Sequence, residues 1–304
     1  MTTLIDTVRA MAARLDAAGL AFGHGTTNAF DESAWLVLWG LGLPLDDLDG
    51  VADREVAPSE RGRVDALLAQ RIDTRRPAAY ITGEAWLQGV PFHVDERVIV
   101  PRSLIAEPLA EGLLDAWVPE AGARVLDLCT GNGSLAVLSA MAWPQAQVRA
   151  TDLSADALAV ADLNVRRHGL ASRITLAQGD GWAAAPGRHD LVLCNPPYVN
   201  AASMQALPPE YLSEPALALA GGTDGMDFIR RLLAEAAAHL TAGGALVLEI
   251  GHERAHFEAA FPALNPMWLS TSAGDDQVLL LMADDLRPLA AGILDNVRPP
   301  EASS

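Results

Sequence analysis

The chain has 304 residues, 50% of them apolar, so it can bury the core of one large α/β domain with a smaller companion. Its net charge is −18, and all 21 of its basic residues are Arg, scattered along the sequence. Sequence-independent binding of nucleic acid needs a cationic surface, so the negative charge argues against a nucleic-acid-binding protein. An acidic surface would instead attract a basic protein.

The cellular location is predicted from what the sequence lacks. No apolar run reaches the length that crosses a bilayer. Residues 1–10 contain no basic stretch followed by an apolar block, so we expect no secretory signal. Cys129 and Cys194 are too few for a disulfide framework and fit a reducing compartment. The expected location is therefore the cytoplasm.

The first 84 residues are predicted to form a small helical domain. Apolar residues recur at helical spacing in residues 3–20, 31–41 and 58–75, and alternating strand patterns are missing. Asp31 is the candidate N-cap of the second helix, because its short carboxylate can accept from free backbone N–H groups. Residues 1–84 are therefore assigned to a first domain.

Residues 85–104 are predicted to form a β-hairpin that links two domains. Residues 86–94 and 97–100 are alternating or β-branched segments, and turn residues interrupt them. From residue 105 onward, apolar strands alternate with helices, which is typical of a mostly parallel sheet covered on both faces. Residues 105–304 are therefore assigned to an α/β domain.

Within this second domain, the pattern predicts strands at residues 124–128, 148–152, 174–178, 190–194, 245–250, 267–271 and 277–282. Helices are predicted at residues 134–142, 155–168 and 225–240. The last two strands have no helix between them, so we expect them to pair antiparallel.

A loop with two glycines follows the first of these strands. It reads Asp127-Leu128-Cys129-Thr130-Gly131-Asn132-Gly133, and the next helix is predicted to start directly after it. Glycines let the backbone pass close to a ligand, and a helix start offers free N–H groups. Asp152, at the end of the second strand, could bind both hydroxyls of a ribose. These residues predict nucleotide binding, and they fit a dinucleotide fold as well as a methyltransferase.

Two further acids favour an amino-bearing cofactor. Asp127 lies at the approach to the loop, where it could take the amino group of a methionine moiety. Asp180 follows the third strand, where it could accept from the amino group of adenine. Together with Asp152 they place three acids at successive strand ends, which suits a cationic ligand better than a pyrophosphate. The predicted cofactor is S-adenosylmethionine.

The tetrapeptide Asn195-Pro196-Pro197-Tyr198 directly follows the fourth apolar strand and is the predicted catalytic centre, with Asn195 also beside the cofactor. The two prolines withhold N–H donors and leave a carbonyl and the Asn side-chain oxygen as acceptors. Two acceptors can hold both hydrogens of a substrate –NH₂ group and turn its lone pair towards a methyl donor. Tyr198 can cover the planar group with its ring. The motif therefore predicts methylation of a planar amide nitrogen, although it also suits an exocyclic amine.

His252 and His256 complete a His-Glu-x-x-His pattern of the kind that binds zinc in metalloproteases. The pattern begins directly after a predicted strand and Gly251, so His252 falls at a helix start, and no clear third ligand follows. We therefore expect no metal site, and we expect Glu253 in the first helical turn to interact with the helix dipole.

Taken together, these residues resemble the HemK/PrmC/PrmB family of protein-(glutamine-N(5)) methyltransferases over nearly the whole chain. The resemblance implies a Rossmann-like, seven-stranded class I methyltransferase domain, an N-terminal helical domain for substrate recognition and a linking hairpin. It implies that Asn195–Tyr198 binds a glutamine amide, that Cys129–Gly133 and Asp152 bind the cofactor, and that Phe92 is the aromatic residue near it. Residues 214–227 are similar to a further family signature, whose task the sequence does not reveal.

Within the family, the chain most resembles the PrmB branch, which modifies ribosomal large-subunit protein 3. The markers are Cys129, where the release-factor branch has Gly, and the sequence Pro101-Arg102-Ser103. A ribosomal protein is basic, which fits the charge of −18. Methylation of release factors is the alternative, and methylation of a nucleic-acid base is a more distant one. A non-catalytic assembly factor is a third alternative, against which the intact Asn195–Tyr198 motif argues.

Overall fold

The structure, a computed structural model, describes residues 2–287 and residue 289. They fall into two compact units. The first contains the residues up to Arg102 together with Leu207–Pro215, and the second contains Ser103–Ala206 and the chain from Ala216 onward. These limits differ from the predicted ones: residues 85–102 pack with the helices instead of forming a separate linker, and nothing in the sequence indicates that Leu207–Pro215 joins them.

The first unit is mainly helical. Its described elements are α1 (Leu4–Ala17), α2 (Ala29–Leu41), α3 (Leu48–Val51), α4 (Pro58–Thr74), α5 (Ala78–Thr82), β1 (Glu84–Leu87) and β2 (Val90–His93), with a 3-10 helix at Pro209–Ser213. The three predicted helices are confirmed. Each buries one apolar face, as the helical spacing requires.

Asp31 is not the N-cap that the sequence predicts. Helix α2 begins earlier, and the side chain of Asn28 accepts from the Asp31 backbone N–H at 2.9 Å. The Asp31 carboxylate in turn accepts from Asn28 Nδ2 at 2.7 Å. Asp31 therefore stands in the first turn, and Asn28, which is equally suited to capping, takes the cap position.

The predicted hairpin is present, but only its first part consists of strands. Strands β1 and β2 pair antiparallel around Gln88 and Gly89, both in the left-handed region that tight hairpin turns need. Residues 97–100 were predicted as extended strand and form none. The Tyr80 hydroxyl donates to the Val98 carbonyl at 2.5 Å, and the Val100 N–H donates to Glu214 at 3.0 Å. Side chains thus satisfy backbone groups that a neighbouring strand would otherwise bind.

Two buried carboxylates fasten Leu207–Pro215 within the first unit. Glu210 accepts from the Ala21 N–H at 3.2 Å and pairs with Arg75 at 2.8 Å. Glu214 accepts from Arg102 Nη2 at 2.7 Å. Burial alone would raise the pKa of Glu214, but Arg102 and His24 outweigh it and hold this pKa at about 2. The segment is therefore held by charge-assisted hydrogen bonds.

The second unit is built on a seven-stranded sheet of order β5-β4-β3-β6-β7-β9-β8. Its strands are β3 (Arg124–Leu128), β4 (Gln147–Asp152), β5 (Ile174–Gln178), β6 (His189–Cys194), β7 (Leu240–Glu249), β8 (Met267–Thr271) and β9 (Gly274–Met282). The first five run parallel, and β9 pairs antiparallel with both β7 and β8. The seven-stranded prediction and the antiparallel final pair are confirmed.

Helices flank this sheet, as predicted. They are α6 (Ala106–Ala110), α7 (Ser134–Ala142), α8 (Ala155–Arg167), α9 (Ala201–Ala206), α10 (Asp227–His239) and α11 (Arg254–Ala260), with 3-10 helices at Asp115–Trp117, Gly181–Ala184 and Ala216–Ala218. Helices α7 and α8 pack against β3, β4 and β5, and α10 packs against β7. Among the described residues no helix combines the length and apolarity needed to span a membrane.

Candidate active site

The two predicted motifs lie side by side at the point where the strand order of the sheet reverses. Strand β3 has β4 on one side and β6 on the other, so the crevice for a ligand opens beyond the ends of β3 and β6. Leu128 and Cys194, the last residues of these strands, are paired in register. Cys129 and Asn195 therefore leave neighbouring strands at the same level.

The glycine loop is held closely against α8. A Cβ atom on Gly133 would lie 3.1 Å from the Ala161 Cβ and 3.3 Å from its Cα, and the φ of Gly133 is 81°. At Gly131, with φ of 55°, a Cβ would meet no atom within 4 Å. Gly133 is thus required by packing, whereas Gly131 leaves one side of the loop open to a ligand.

Two other residues, Asn132 and Cys129, show how the backbone of the loop is held. Asn132 is buried, its side chain accepts from the Ser134 N–H at 3.2 Å, and its carbonyl accepts from Asn164 Nδ2 at 2.8 Å. Cys129 adopts a φ of 63°, a left-handed conformation that is costly for any residue with a Cβ. The loop therefore begins with a residue in a strained backbone conformation.

The side chain of Cys129 also lies beside Cys194. Burial, and then the neighbouring Cys129, raise the pKa of the Cys194 thiol well above its usual value.

Asp127 lies beneath the loop and is buried. Its Oδ2 accepts from the Thr130 hydroxyl and, at 3.0 Å, from the Ala136 N–H in the first turn of α7. Burial raises the pKa of Asp127 to about 7, against the two hydrogen bonds that favour its charged form, and the charge of Asp152 adds to the rise. The contacts make Asp127 the residue that fastens the loop to the helix start, and its predicted contact with a ligand stays a prediction.

Asp152 ends β4, as predicted, and faces the glycine loop. Its Oδ2 accepts from the Gly131 N–H and its Oδ1 from the Ser154 N–H, both at 2.9 Å. Each carboxylate oxygen can accept a second hydrogen bond, which suits a pair of ribose hydroxyls. Leu153, which no sequence motif indicates, is 49% exposed beside it and has an apolar surface that suits a flat base. An apolar residue directly after a strand-end acid is the signal that could have found it.

Asp180 lies just after β5, but it already has a partner. Its carboxylate forms an ion pair with Arg231 at 2.8 Å, and both side chains are at least half exposed. The Arg231 guanidinium also lies 5.4 Å from the centre of the Phe228 ring. A base that bonded to Asp180 would therefore share it with Arg231.

The Asn195–Tyr198 segment presents unused acceptors. Within the described part of the chain, no residue forms a hydrogen bond with the Asn195 side chain or with the Pro196 carbonyl. Asn195 is partly exposed, whereas the preceding Cys194 is fully buried. The Asn195 side chain is thus partly exposed without a partner in the described chain, and the carbonyl of the buried Pro196 likewise has none there.

Three glycines crowd around Tyr198 and explain part of the unassigned signature. A Cβ on Gly221 would lie 2.7 Å from the Tyr198 Cα, one on Gly225 would clash with the Tyr198 carbonyl, and one on Gly251 would lie 2.5 Å from the ring. Val199 also donates to the Leu219 carbonyl and accepts from the Gly221 N–H, both at 2.9 Å. Residues 219–225 therefore clasp the backbone that follows the motif.

Comparison with known proteins identifies this arrangement. Residues 109–222 match a family model described as the methyltransferase small domain. Proteins named ribosomal protein uL3 glutamine methyltransferase are similar to the chain: that of Bordetella pertussis is 58% identical over 94% of this chain and 97% of the relative, that of Burkholderia pseudomallei 52% over 95% and 97%, and that of Neisseria meningitidis serogroup B 47% over 94% and 95%. The chain belongs to this methyltransferase family.

The methyltransferase takes its methyl group from S-adenosylmethionine, and the residues at the switch point fit that cofactor. Gly131 leaves room beside the loop, Asp152 has free acceptor positions, and Asp180 lies one strand further along. Phe92, by contrast with these exposed or loop residues, lies in β2 of the first unit, and its side chain is fully buried. Its predicted place beside the cofactor stays a prediction.

Two side chains of the methyltransferase's His-Glu-x-x-His pattern, Glu253 and His256, contact each other. Helix α11 begins at Arg254, so His252 precedes it and Glu253 occupies the N-cap position. The Glu253 carboxylate accepts from Asn200 Nδ2 at 2.6 Å and contacts His256 Nδ1 at 2.5 Å. Residues 2–287 and 289 contain no cluster of three His, Cys, Asp or Glu side chains suited to a metal. Glu253 thus links Asn200, which follows the Asn195–Tyr198 motif, to the start of α11.

Proposed function

We propose that this methyltransferase transfers the methyl group of S-adenosylmethionine to the side-chain amide nitrogen of a glutamine in ribosomal protein uL3. The observation that carries the proposal is the pair of unused acceptors at Asn195 and Pro196, one strand away from the glycine loop. The relatives at 47–58% identity, all named for uL3 glutamine methylation, support the choice of substrate.

The chemistry follows from the two acceptors. An amide nitrogen is a poor nucleophile because its lone pair is delocalised into the carbonyl. The side-chain oxygen of Asn195 and the carbonyl of Pro196 would each accept one N–H of the substrate, which orients the nitrogen and favours its lone pair out of the amide plane. When bound, the cofactor would supply an electrophilic methyl group on a positively charged sulfur; the new N–C bond replaces its S–C bond, and the nitrogen gives up one N–H proton to water. Tyr198 would pack its ring on the flat amide.

The charge of the molecule supports a basic substrate. At −18, it would attract a ribosomal protein and repel nucleic acid. We assign residues 1–84 to substrate recognition and the reaction to the cytoplasm, where ribosomal proteins are made. A methylated base in DNA or RNA would require a cationic recognition surface, which the scattered Arg residues do not supply.

The test is mass spectrometry of ribosomal proteins, release factors and nucleic acids from cells with and without this gene. We expect one glutamine of uL3 to lose a single methyl group in the deleted strain, and purified protein with labelled S-adenosylmethionine to restore it. Replacing that glutamine of uL3 by Ala should abolish labelling. Loss of methylation from a release factor, or from a base, with uL3 unchanged would contradict the proposal.

A further inference from the structure

A buried carboxylate that the proposed chemistry does not use stands next to the catalytic motif. Glu249 is the last residue of β7 and is only 3% exposed. Leu248 of β7 pairs in register with Cys194 of β6. Glu249 and Asn195, the next residue on each strand, therefore lie at the same level of the sheet. Burying a carboxylate is costly unless hydrogen bonds compensate, so its partners indicate its purpose.

Glu249 accepts hydrogen bonds at both of its carboxylate oxygens. Oε1 accepts from the Tyr198 hydroxyl at 3.2 Å. Oε2 accepts from the Ser103 hydroxyl at 2.6 Å and from the Leu104 N–H at 2.9 Å. One oxygen of the carboxylate is thus bound to Ser103 and Leu104, and the other is bound to the hydroxyl of Tyr198.

We propose that Glu249 is a positioning residue for methyl transfer, which holds the Tyr198 ring in the plane where it packs on the substrate amide. The inference rests on the proposed function and names a further residue for it. The Gly251 backbone limits the ring on one side. The glycines and Val199 fix the backbone of Tyr198, and its partly buried ring packs against the hydrophobic core of the second unit. The hydrogen bond to Glu249 adds a restraint at the hydroxyl end of the ring, which sets its orientation.

The test compares Glu249→Ala, Glu249→Gln, Tyr198→Phe and the double variant Glu249→Ala/Tyr198→Phe with the wild type. We expect Glu249→Ala and Tyr198→Phe each to lower kcat about tenfold or more, because a loosely held group misplaces the reacting atoms. The KM for S-adenosylmethionine should change by less than about threefold, since this contact lies outside the cofactor loop. The Gln amide can still bind both the Tyr198 hydroxyl and the Leu104 N–H, so Glu249→Gln should recover most of kcat.

The double variant separates positioning from general destabilisation. If Glu249 acts through the Tyr198 hydroxyl, the double variant is no slower than the slower single variant. Glu107→Ala is the matched control, because Glu107 likewise accepts from a serine hydroxyl and a backbone N–H, both of Ser272 at 2.6 Å. We expect its kcat to stay within about twofold of the wild type, as no motif residue depends on it.

Multiplied losses in the double variant, or an unchanged kcat in Glu249→Ala, would overturn the inference. If Glu249→Ala does not fold, Tyr198→Phe decides, because it removes the same hydrogen bond and leaves Ser103 and Leu104 satisfied. Whether the wild type methylates uL3 tests the proposed function separately. If it methylates another acceptor instead, the kcat of each variant relative to the wild type can be measured on that acceptor. Should it methylate none, a crystal structure of Glu249→Ala with an unmoved Tyr198 ring would refute the inference.

Discussion

At the scale of single residues, Asn195 carries the most direct test of the chemistry. Its side chain has no hydrogen bond to the described protein, so Asn195→Ala removes a substrate acceptor without releasing the loop. We expect kcat to fall by about 10²–10³-fold, the usual cost of one preorganised hydrogen-bonding group. Calorimetry should find S-adenosylmethionine binding, and circular dichroism should find the fold, nearly unchanged. Normal turnover in this variant would rule out the proposed role.

Asp127 predicts an unusual dependence of stability on pH. Its pKa is about 7 in the folded protein and 3.8 without burial, so between these values the folded state binds more protons than the unfolded state. The free energy of unfolding should therefore fall as pH rises from about 4 to 7, by up to about 4 kcal/mol, and then level off. Asp127→Asn keeps an oxygen for Thr130 and Ala136 and cannot ionise, so urea unfolding should lose this slope.

The same variant separates the two roles of Asp127. If the carboxylate also takes the amino group of the cofactor, Asp127→Asn should weaken S-adenosylmethionine binding by about tenfold or more, although the loop stays fastened. Calorimetry above pH 7 measures this. Unchanged affinity would leave Asp127 with a structural role alone.

At the scale of elements, the turn after β7 should tolerate no side chain beside Tyr198. Gly251 has a φ of 53°, and a Cβ there would lie 2.5 Å from the Tyr198 ring. Gly169 is the matched control, because its φ is 69° but no atom lies within 4 Å of its Cβ position. Both Ala variants should lose about 1–2 kcal/mol of stability from the left-handed backbone, and Gly251→Ala should lose more because its Cβ meets the Tyr198 ring. Only Gly251→Ala should also lower kcat, by about tenfold or more. Equal activities of the two variants would contradict a role of Gly251 in positioning the Tyr198 ring.

Elements with a local signal were predictable from the sequence, and those fixed by distant partners were not. Apolar runs bounded by glycine and polar residues predicted β3, β5 and β8 to the residue. Residues 97–100 have the same composition, but Tyr80 and Glu214 bind their backbone and prevent strand pairing. No local pattern reveals that a glutamate more than a hundred positions away supplies that hydrogen bond.

The candidate site likewise contains residues that the sequence predicts and residues that it does not. The glycine loop and Asn195–Tyr198 each follow an apolar strand, and parallel strands bring their ends together, so their proximity was predictable. The roles of Glu249 and of the glycines around Tyr198 were not predictable, because their contacts depend on strand register and on close approach of distant loops. A glutamate ending an apolar strand could have been noticed, since burial of such a residue demands partners.

At the scale of the whole molecule, the charge of −18 should govern how the protein meets its substrate. Attraction between an acidic enzyme and a basic protein acts over about 10 Å at 0.1 M salt and only about 3 Å at 1 M. The KM for uL3 should therefore rise at least about tenfold between 0.05 and 0.5 M salt, mainly through slower association. In contrast, kcat should change little, because the substrate amide and the acceptors at Asn195 and Pro196 are already in contact once the complex has formed. A neutral glutamine peptide from the same site of uL3 is the control, and its KM should be nearly independent of salt. Equal salt dependence for the peptide and the whole protein would mean that the net charge has no part in substrate choice.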